Sequence, residues 1–148
     1  MLPNNLPRIQ LTDVVSQNIA HTSEVAIQWD ASPAYQNLIT YNGSTTLTIQ
    51  IPGLYVMTIT HLLPNQASAG LTYGLILHVN GENYTGQGET INQIHAGAPN
   101  TRANGTIVRE FAIGDTLAVT AYQRQATAQT DTIGGESNSR WTVYMVDK

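Results

Sequence analysis

Histidines and carboxylates are the residues of this chain whose chemistry could bind a metal or move a proton. Successive histidines lie 17 to 40 residues apart along the chain, so no two have the short spacing of a metal site. They are His21, His61, His78 and His95. The ten carboxylates are scattered, whereas a glycosidase needs two in fixed opposition. Each histidine is therefore predicted to be a surface or strand residue, and no metal site is predicted.

The sequence also lacks the recognisable motifs of a catalytic nucleophile and of a phosphate-binding loop. No serine stands in a Gly-x-Ser-x-Gly motif, and the chain has no cysteine. Gly86-Gln87-Gly88 has no P-loop lysine after it. Asp115 follows Gly114 and is predicted to be a turn residue. We therefore predict that the protein is not an enzyme and binds no cofactor.

Length and composition indicate one folded domain with few charged residues. A chain of 148 residues fits a single domain. Charged residues make up 11% of the chain, less than half of the usual value of about 25%. The net charge is −4 and the six basic residues are dispersed, so we expect no nucleic-acid partner. Residues 1–8 lack a basic start and an apolar run, and no apolar stretch is long enough for a membrane span, so we expect neither a signal peptide nor a membrane partner.

Short apolar runs separated by turn signals predict an all-β sandwich or jelly roll. The run over residues 45–51 alternates between apolar and polar residues, as a half-buried strand does. Asn80-Gly81 lies between two such runs and predicts a type I′ hairpin. Two polar stretches, residues 86–103 and 124–140, are predicted to be long loops.

Several of the predicted strands are apolar on both faces. In the last one, Trp141, Val143 and Met145 share one face, whereas Tyr144 and Val146 share the other. The strands that begin at residues 54 and 116 show the same feature. A two-layer domain has one core, so a second apolar face must be covered by the chain's own loops or by neighbouring subunits. Our hypothesis is that neighbouring subunits cover it.

The first 13 residues are predicted to be an extended arm, followed by a jelly-roll domain over residues 14–148. Pro3 and Pro7 prevent a helix or a central strand. We expect this arm to be held either by its own subunit or by a partner. Its apolar residues are Leu2, Leu6, Ile9 and Leu11.

Five segments together resemble the globular head of the complement q-subcomponent and tumour-necrosis-factor family. Residues 47–56 resemble the family's Pro-x-x-Gly-x-Tyr core and residues 111–119 its Gly-Asp-x-Val-x-Val strand, while residues 25–30, 77–81 and 141–146 resemble its early strand, middle hairpin and closing strand. The likeness spans residues 14–147. It implies a ten-stranded antiparallel jelly-roll sandwich that forms a homotrimer.

Strand parity and position in the family then predict the residues of the trimer interface. These are Tyr55, Met57, Tyr122, Trp141 and Tyr144. A small trimer with extended arms and little charge resembles the decoration, or cement, proteins of tailed-phage heads. The resemblance implies a structural virion protein on the outer surface of the capsid. It would bind the major capsid protein through its trimer base and through the arm residues Leu2, Leu6, Ile9 and Leu11.

Two other functions remain open at this point. One is a trimeric module of a virion or cell surface that recognises a receptor or a glycan through residues 86–103 and 124–140. The other is a non-viral soluble trimer of the same fold.

Overall fold

The structure is a computed structural model that describes residues 6–13, 17–19, 24–64, 71–83, 91–95, 100–123, 129–130 and 139–148. All regular secondary structure in these ranges is β-strand. The strands are β1 (Arg8–Thr12), β2 (Asn18–Ile19), β3 (Val25–Ala26), β4 (Tyr35–Asn37), β5 (Ile39–Tyr41), β6 (Thr46–Ile49), β7 (Gly53–Pro64), β8 (Leu71–Val79), β9 (Glu82–Asn83), β10 (Ile91–His95), β11 (Asn100–Phe111), β12 (Thr116–Gln123), β13 (Gln129–Thr130) and β14 (Arg140–Asp147). Among the described residues, no helix has the length and apolar character needed to cross a membrane.

Two antiparallel sheets form the sandwich. The first sheet has the strand order β11-β7-β14-β1-β4. The second has the order β10-β8-β12-β6-β5, with β3 paired to β12 and β9 paired to β8. A further small sheet joins β2 and β13. The prediction of an all-β, two-sheet antiparallel architecture is confirmed.

The alternation of residue types along the strands explains which side chains enter the core. On β14, Trp141, Val143 and Met145 are buried, and the residues between them are half-buried or exposed. On β6, Leu47 and Ile49 are buried in the same cluster from the opposite sheet. Because successive side chains of a strand point to opposite faces, one face of each sheet supplies the core and the other faces outward.

The predicted hairpin at Asn80-Gly81 is confirmed. Asn80 has a φ of 55° and Gly81 a φ of 78°, as both central positions of a type I′ turn require. The turn pairs Val79 with Glu82 and so joins β8 to β9.

Gly53, the first residue of β7, is required by a close approach of the chain's own C-terminal end. Its φ is 156°. A Cβ atom at this position would lie 2.7 Å from Cε of Met145 and would collide with the backbone oxygen of Asp147. The last strand can pass this close to β7 because glycine has no side chain.

The segment predicted to be an extended arm is in part a strand of the first sheet. Residues 8–12 form β1, which pairs with β14 on one side and β4 on the other. Ile9 and Leu11 are fully buried in the core, so their assignment as capsid-binding residues is wrong. Apolar and polar residues alternate over the residues directly after Pro7, and this segment is long enough to pair as a strand between β14 and β4. The chain's own subunit, one of the two expected alternatives, therefore holds residues 6–12.

The residues before β1 are tied to the sheet as well. The backbone oxygen of Pro7 accepts a hydrogen bond from the Met145 N–H at 2.9 Å. The Asn37 side chain donates to the Leu6 carbonyl at 3.1 Å, and Leu6 packs partly buried against the core. Leu2 lies outside the described residues.

Both stretches predicted to be long loops contain strand residues. Residues 86–103 include β10 and the start of β11, and residues 124–140 include β13 and the start of β14. β10 and β11 are edge strands, and an edge strand tolerates the polar residues that obscured them in the sequence. Asn104-Gly105 lies inside β11, and Gly105 sits opposite Ile59 of β7. Apart from Ser139, the other residues of both stretches lie outside the described part.

Candidate interaction surface

Three of the five residues predicted at the trimer interface lie in the core instead. Tyr55, Met57 and Trp141 are fully buried by their own chain. Each faces the second sheet because each occupies an inward position of β7 or β14. Strand parity correctly separated the two faces of these strands. It could not tell which face points inward, and the largest side chains fill the space between the sheets.

Tyr122 lies on the outer face of the second sheet and is half-buried there by its own neighbour. It pairs with Gly74 across β12 and β8. A Cβ atom on Gly74 would lie 2.6 Å from Cε1 of the Tyr122 ring, so the ring covers the glycine. A cross-strand contact within the subunit therefore accounts for the partial burial of Tyr122.

Tyr144 is the predicted interface residue that does face outward on the first sheet. It is 38% exposed. Across the strands it pairs with Val56 of β7, and Val56 pairs in turn with Val108 of β11. Directly opposed residues of an antiparallel pair project to the same face, so these three side chains form one row. Val108 is 59% exposed and Val56 is half-buried.

A second row of neutral residues runs beside the first. Thr106 of β11 pairs with Thr58 of β7, which pairs with Thr142 of β14. We call these two rows on the outer side of the first sheet the neutral face. Its six residues are Val56, Thr58, Thr106, Val108, Thr142 and Tyr144. None of them carries a charge, although an outward sheet face normally carries polar and charged side chains.

Charged residues flank the neutral face on more than one side. Arg8 of β1 pairs with Tyr144, and Arg140 lies at the start of β14. Glu110 follows Val108 by two positions on β11 and is exposed. Uncharged centres with polar or charged rims are typical of protein–protein interfaces.

The outer face of the second sheet has a different chemistry. Nε2 of His78 lies 2.8 Å from a carboxylate oxygen of Glu24, and the Thr120 hydroxyl donates to the same oxygen at 3.1 Å. This hydrogen-bonded cluster is partly exposed. The two outward faces of the sandwich therefore differ, and the neutral face is the one suited to contact another protein surface.

A histidine and an aspartate that sequence spacing did not connect meet inside the sandwich. Nε2 of His61 lies 3.3 Å from Oδ2 of Asp13, and both side chains are fully buried. Trp29 packs edge-on against the His61 ring, with the ring centres 6.5 Å apart. Ser139 is buried beside them, and its Oγ accepts the Leu62 backbone N–H at 3.1 Å.

These three residue types are those of a hydrolase triad, but the arrangement differs from one. In a triad the serine hydroxyl gives its proton to the histidine and is open to a substrate. Here Ser139 Oγ is used by the backbone of β7, and all three side chains are closed off from solvent. The cluster therefore joins β7 to β14 in the interior of the subunit.

Other titratable groups also have structural roles. The Asp115 carboxylate accepts the Ala112 N–H at 2.9 Å and the Asn80 side-chain amide at 2.8 Å, which confirms it as a turn residue. The Tyr55 hydroxyl donates to the Ile51 carbonyl at 2.6 Å, and burial raises the pKa of Tyr55 to about 12. Among the described residues, no group of three or more metal-ligating side chains is close enough to hold a metal ion.

Comparison with known proteins identifies the fold. No protein-family model matches the chain, and no curated protein matches its sequence. Solved structures do match over nearly the whole length. Murine APRIL at pH 5.0 superposes with a TM-score of 0.68 at 11% identity, covering 95% of this chain and 99% of APRIL.

Two further structures agree. The Eiger TNF of S. frugiperda matches with a TM-score of 0.68 at 14% identity, covering 98% of this chain and 95% of Eiger. The globular domain of zebrafish complement 1qA matches with a TM-score of 0.67 at 10% identity, covering 97% of this chain and 98% of that domain. The chain therefore has the jelly-roll fold of the tumour-necrosis-factor and complement-1q globular domains.

Proposed function

We propose that this protein is a homotrimeric, non-enzymatic structural protein that decorates the outer surface of a phage head. The observation that carries the proposal is the neutral face. Val108 and Tyr144 are 59% and 38% exposed in a single chain and lie in one continuous row with Val56. A continuous exposed apolar row with a charged rim is typical of a surface that another copy covers. The number three comes from the family resemblance of the sequence.

The titratable groups support a role without catalysis. The Asp13–His61 pair is buried, and the Asp115 carboxylate is taken up by its own turn. Fold alone does not determine function. The low charge of the chain and its neutral outer face are suited to a protein that acts through surface contacts.

The decoration role is the finer part of the proposal. Ile9 and Leu11 are core residues and Leu6 is partly buried, so they are removed from the predicted capsid contact. Leu2 and the trimer base remain as its proposed contacts with the major capsid protein. Three such contacts per trimer would give avidity even if each contact were weak.

The test is to add purified protein to expanded heads of the phage that carries its gene, prepared without this protein. We expect it to sediment with the heads, and electron microscopy to show three-copy densities at local three-fold positions. A variant lacking residues 1–5 keeps β1 intact and should stay trimeric but bind the heads more weakly. Absence of the gene from phage genomes, or binding to a glycan array without binding to heads, would overturn the decoration role.

A further inference from the structure

Three side chains that can each donate an electron pair meet on the outer face of the second sheet. The atoms are Oε2 of Glu24, Nε2 of His78 and Oγ1 of Thr120. His78 lies on β8 and Thr120 on β12, and Glu24 directly precedes β3. Because β12 pairs with β8 on one side and with β3 on the other, the sheet itself brings the three residues together.

The register of these strands explains why the side chains converge. Thr120 pairs with Ala26 of β3 and with Ile76 of β8. Glu24 lies two positions before Ala26, and His78 lies two positions after Ile76. Residues two positions apart on a strand project to the same face, and diagonal neighbours across strands are within reach of long side chains. Glu24 and His78 therefore reach Thr120 from opposite sides.

The three atoms form a nearly equilateral triangle. Nε2 of His78 lies 2.8 Å from Oε2 of Glu24 and 3.2 Å from Oγ1 of Thr120. The same two oxygens lie 3.1 Å apart. A first-row divalent metal such as Zn²⁺ lies about 2.0 to 2.2 Å from imidazole nitrogen and carboxylate oxygen. A point about 1 Å from the plane of the triangle is about 2.1 Å from all three atoms, so a single ion at that point contacts each of them.

The size of the triangle indicates the coordination geometry. Bonds of about 2.1 Å to atoms 2.8 to 3.2 Å apart meet at angles of roughly 85° to 100°. These angles are near the octahedral value of about 90° and below the tetrahedral value of about 109°. The three protein atoms therefore correspond to one face of an octahedron, which leaves three positions for water.

The triangle is open to solvent and its chemistry favours a transition metal. The side chains of His78 and Glu24 are 18% and 37% exposed, so a hydrated ion reaches them without opening the fold. Imidazole nitrogen suits first-row transition metals, whereas Mg²⁺ and Ca²⁺ prefer oxygen ligands alone. Sequence spacing missed this arrangement because the three residues come from distant parts of the chain.

We propose that Glu24, His78 and Thr120 bind one divalent first-row transition-metal ion on the outer face of the second sheet. The ion takes the place of the hydrogen bond between His78 and Glu24. The neutral imidazole then carries its proton on Nδ1, which leaves the Nε2 lone pair for the metal. All three ligands belong to one chain, so this inference does not depend on the trimer or on the decoration role.

Titration calorimetry of the unmodified protein with Ni²⁺ is the first test. Ni²⁺ is the probe because its affinity for such nitrogen and oxygen sites exceeds that of Mn²⁺, Fe²⁺ and Co²⁺. We expect one ion per chain at this site. Glu24→Gln and His78→Gln should each weaken its binding at least about tenfold, since even the loss of a group that only orients a ligand costs about 10- to 100-fold. The urea midpoint of each variant without metal checks that the subunit remains folded.

Thr120→Val separates the three-atom site from a lone histidine that binds metal. Valine has the shape of threonine without its hydroxyl and suits a strand, so the fold should be kept while the Ni²⁺ affinity falls at least about threefold. Thr48→Val is the matched control. Thr48 lies on the outer face of the same sheet, opposite Thr116, and its replacement should leave the affinity unchanged.

Three results would overturn the proposal. The first is the absence of Ni²⁺ binding. The second is binding that His78→Gln abolishes but Glu24→Gln and Thr120→Val leave unchanged, because that pattern means a single surface histidine. The third is an equal loss in Thr48→Val and Thr120→Val, which would mean a general effect of the sheet face. None of these results bears on the neutral face, so the proposed function is tested separately.

Discussion

Replacement of Val108 by threonine tests the neutral face with the least disturbance to the subunit. The two side chains have similar shapes, and threonine suits strands. Thr106 two positions earlier and Thr58 on β7 already show that this face accepts threonine. Because Val108 is 59% exposed in the single chain, the free energy of unfolding of the subunit should change by no more than about 0.5 kcal/mol.

The effect on association follows from the exposed fraction. Complete burial of a valine side chain contributes about 1.5 to 3 kcal/mol. Since 59% of Val108 remains to be covered, each contact should gain about 1 to 2 kcal/mol from it. Threonine keeps one of the two methyl groups, so about half of this gain is lost at each contact, and three contacts per ring sum to about 1.5 to 3 kcal/mol. The trimer dissociation constant of Val108→Thr should therefore rise roughly 10- to 10²-fold.

Sedimentation equilibrium over a dilution series measures the dissociation constant, and urea unfolding of the dissociated protein measures subunit stability. Ile113→Thr is the matched control and should change neither, because its exposed side chain lies in the turn between β11 and β12. An unchanged dissociation constant for Val108→Thr, with subunit stability also unchanged, would refute the reasoning about the neutral face.

Three further predictions concern the core and its margins. Asp13→Asn replaces the carboxylate that faces His61 in the core and should lower the free energy of unfolding by about 1 to 3 kcal/mol; a urea midpoint equal to that of the unmodified protein would contradict this. Gly53→Ala places a Cβ atom 2.7 Å from Met145 Cε and should cost about 2 to 3 kcal/mol in the same assay, and a cost near zero would show that the C-terminal end moves freely. The pKa of Tyr55 is raised from 10.0 to about 12 by burial, so its stabilising contribution is complete below pH 10 and is lost as the pH rises towards 12. In Tyr55→Phe, the urea midpoint should therefore fall less steeply between pH 10 and 12 than in the unmodified protein. An unchanged slope would contradict the raised pKa of Tyr55.

The sequence predicted the elements whose signal is local. Alternation over residues 45–51 predicted β6, and Asn80-Gly81 predicted the hairpin after β8. Both depend on residues adjacent in the chain. Ile9 and Leu11 show the same local alternation, but Pro3 and Pro7 before them favoured the prediction of an arm. Pro7 does not prevent the strand, because β1 begins at Arg8, directly after it.

The parts that could not be predicted depend on distant residues. The Tyr122 ring lies over Gly74 of the neighbouring strand, and Asp13 meets His61 from a position 48 residues away. The neutral face required knowing that Val108, Val56 and Tyr144 are neighbours across three strands. The alternation along the strands put Val56 and Tyr144 on one face and Met57 and Trp141 on the other. Which of the two faces points into the core depends on how the two sheets pack, and the sequence does not specify this.

The mass of the unmodified protein in solution tests the central claim most directly. Light scattering on the eluted peak, from high micromolar to low micromolar concentration, should give a particle three times the 16.0 kDa chain, about 48 kDa. A single species of 16.0 kDa across that range would mean that the neutral face faces water. It would contradict the trimer and, with it, the decoration role.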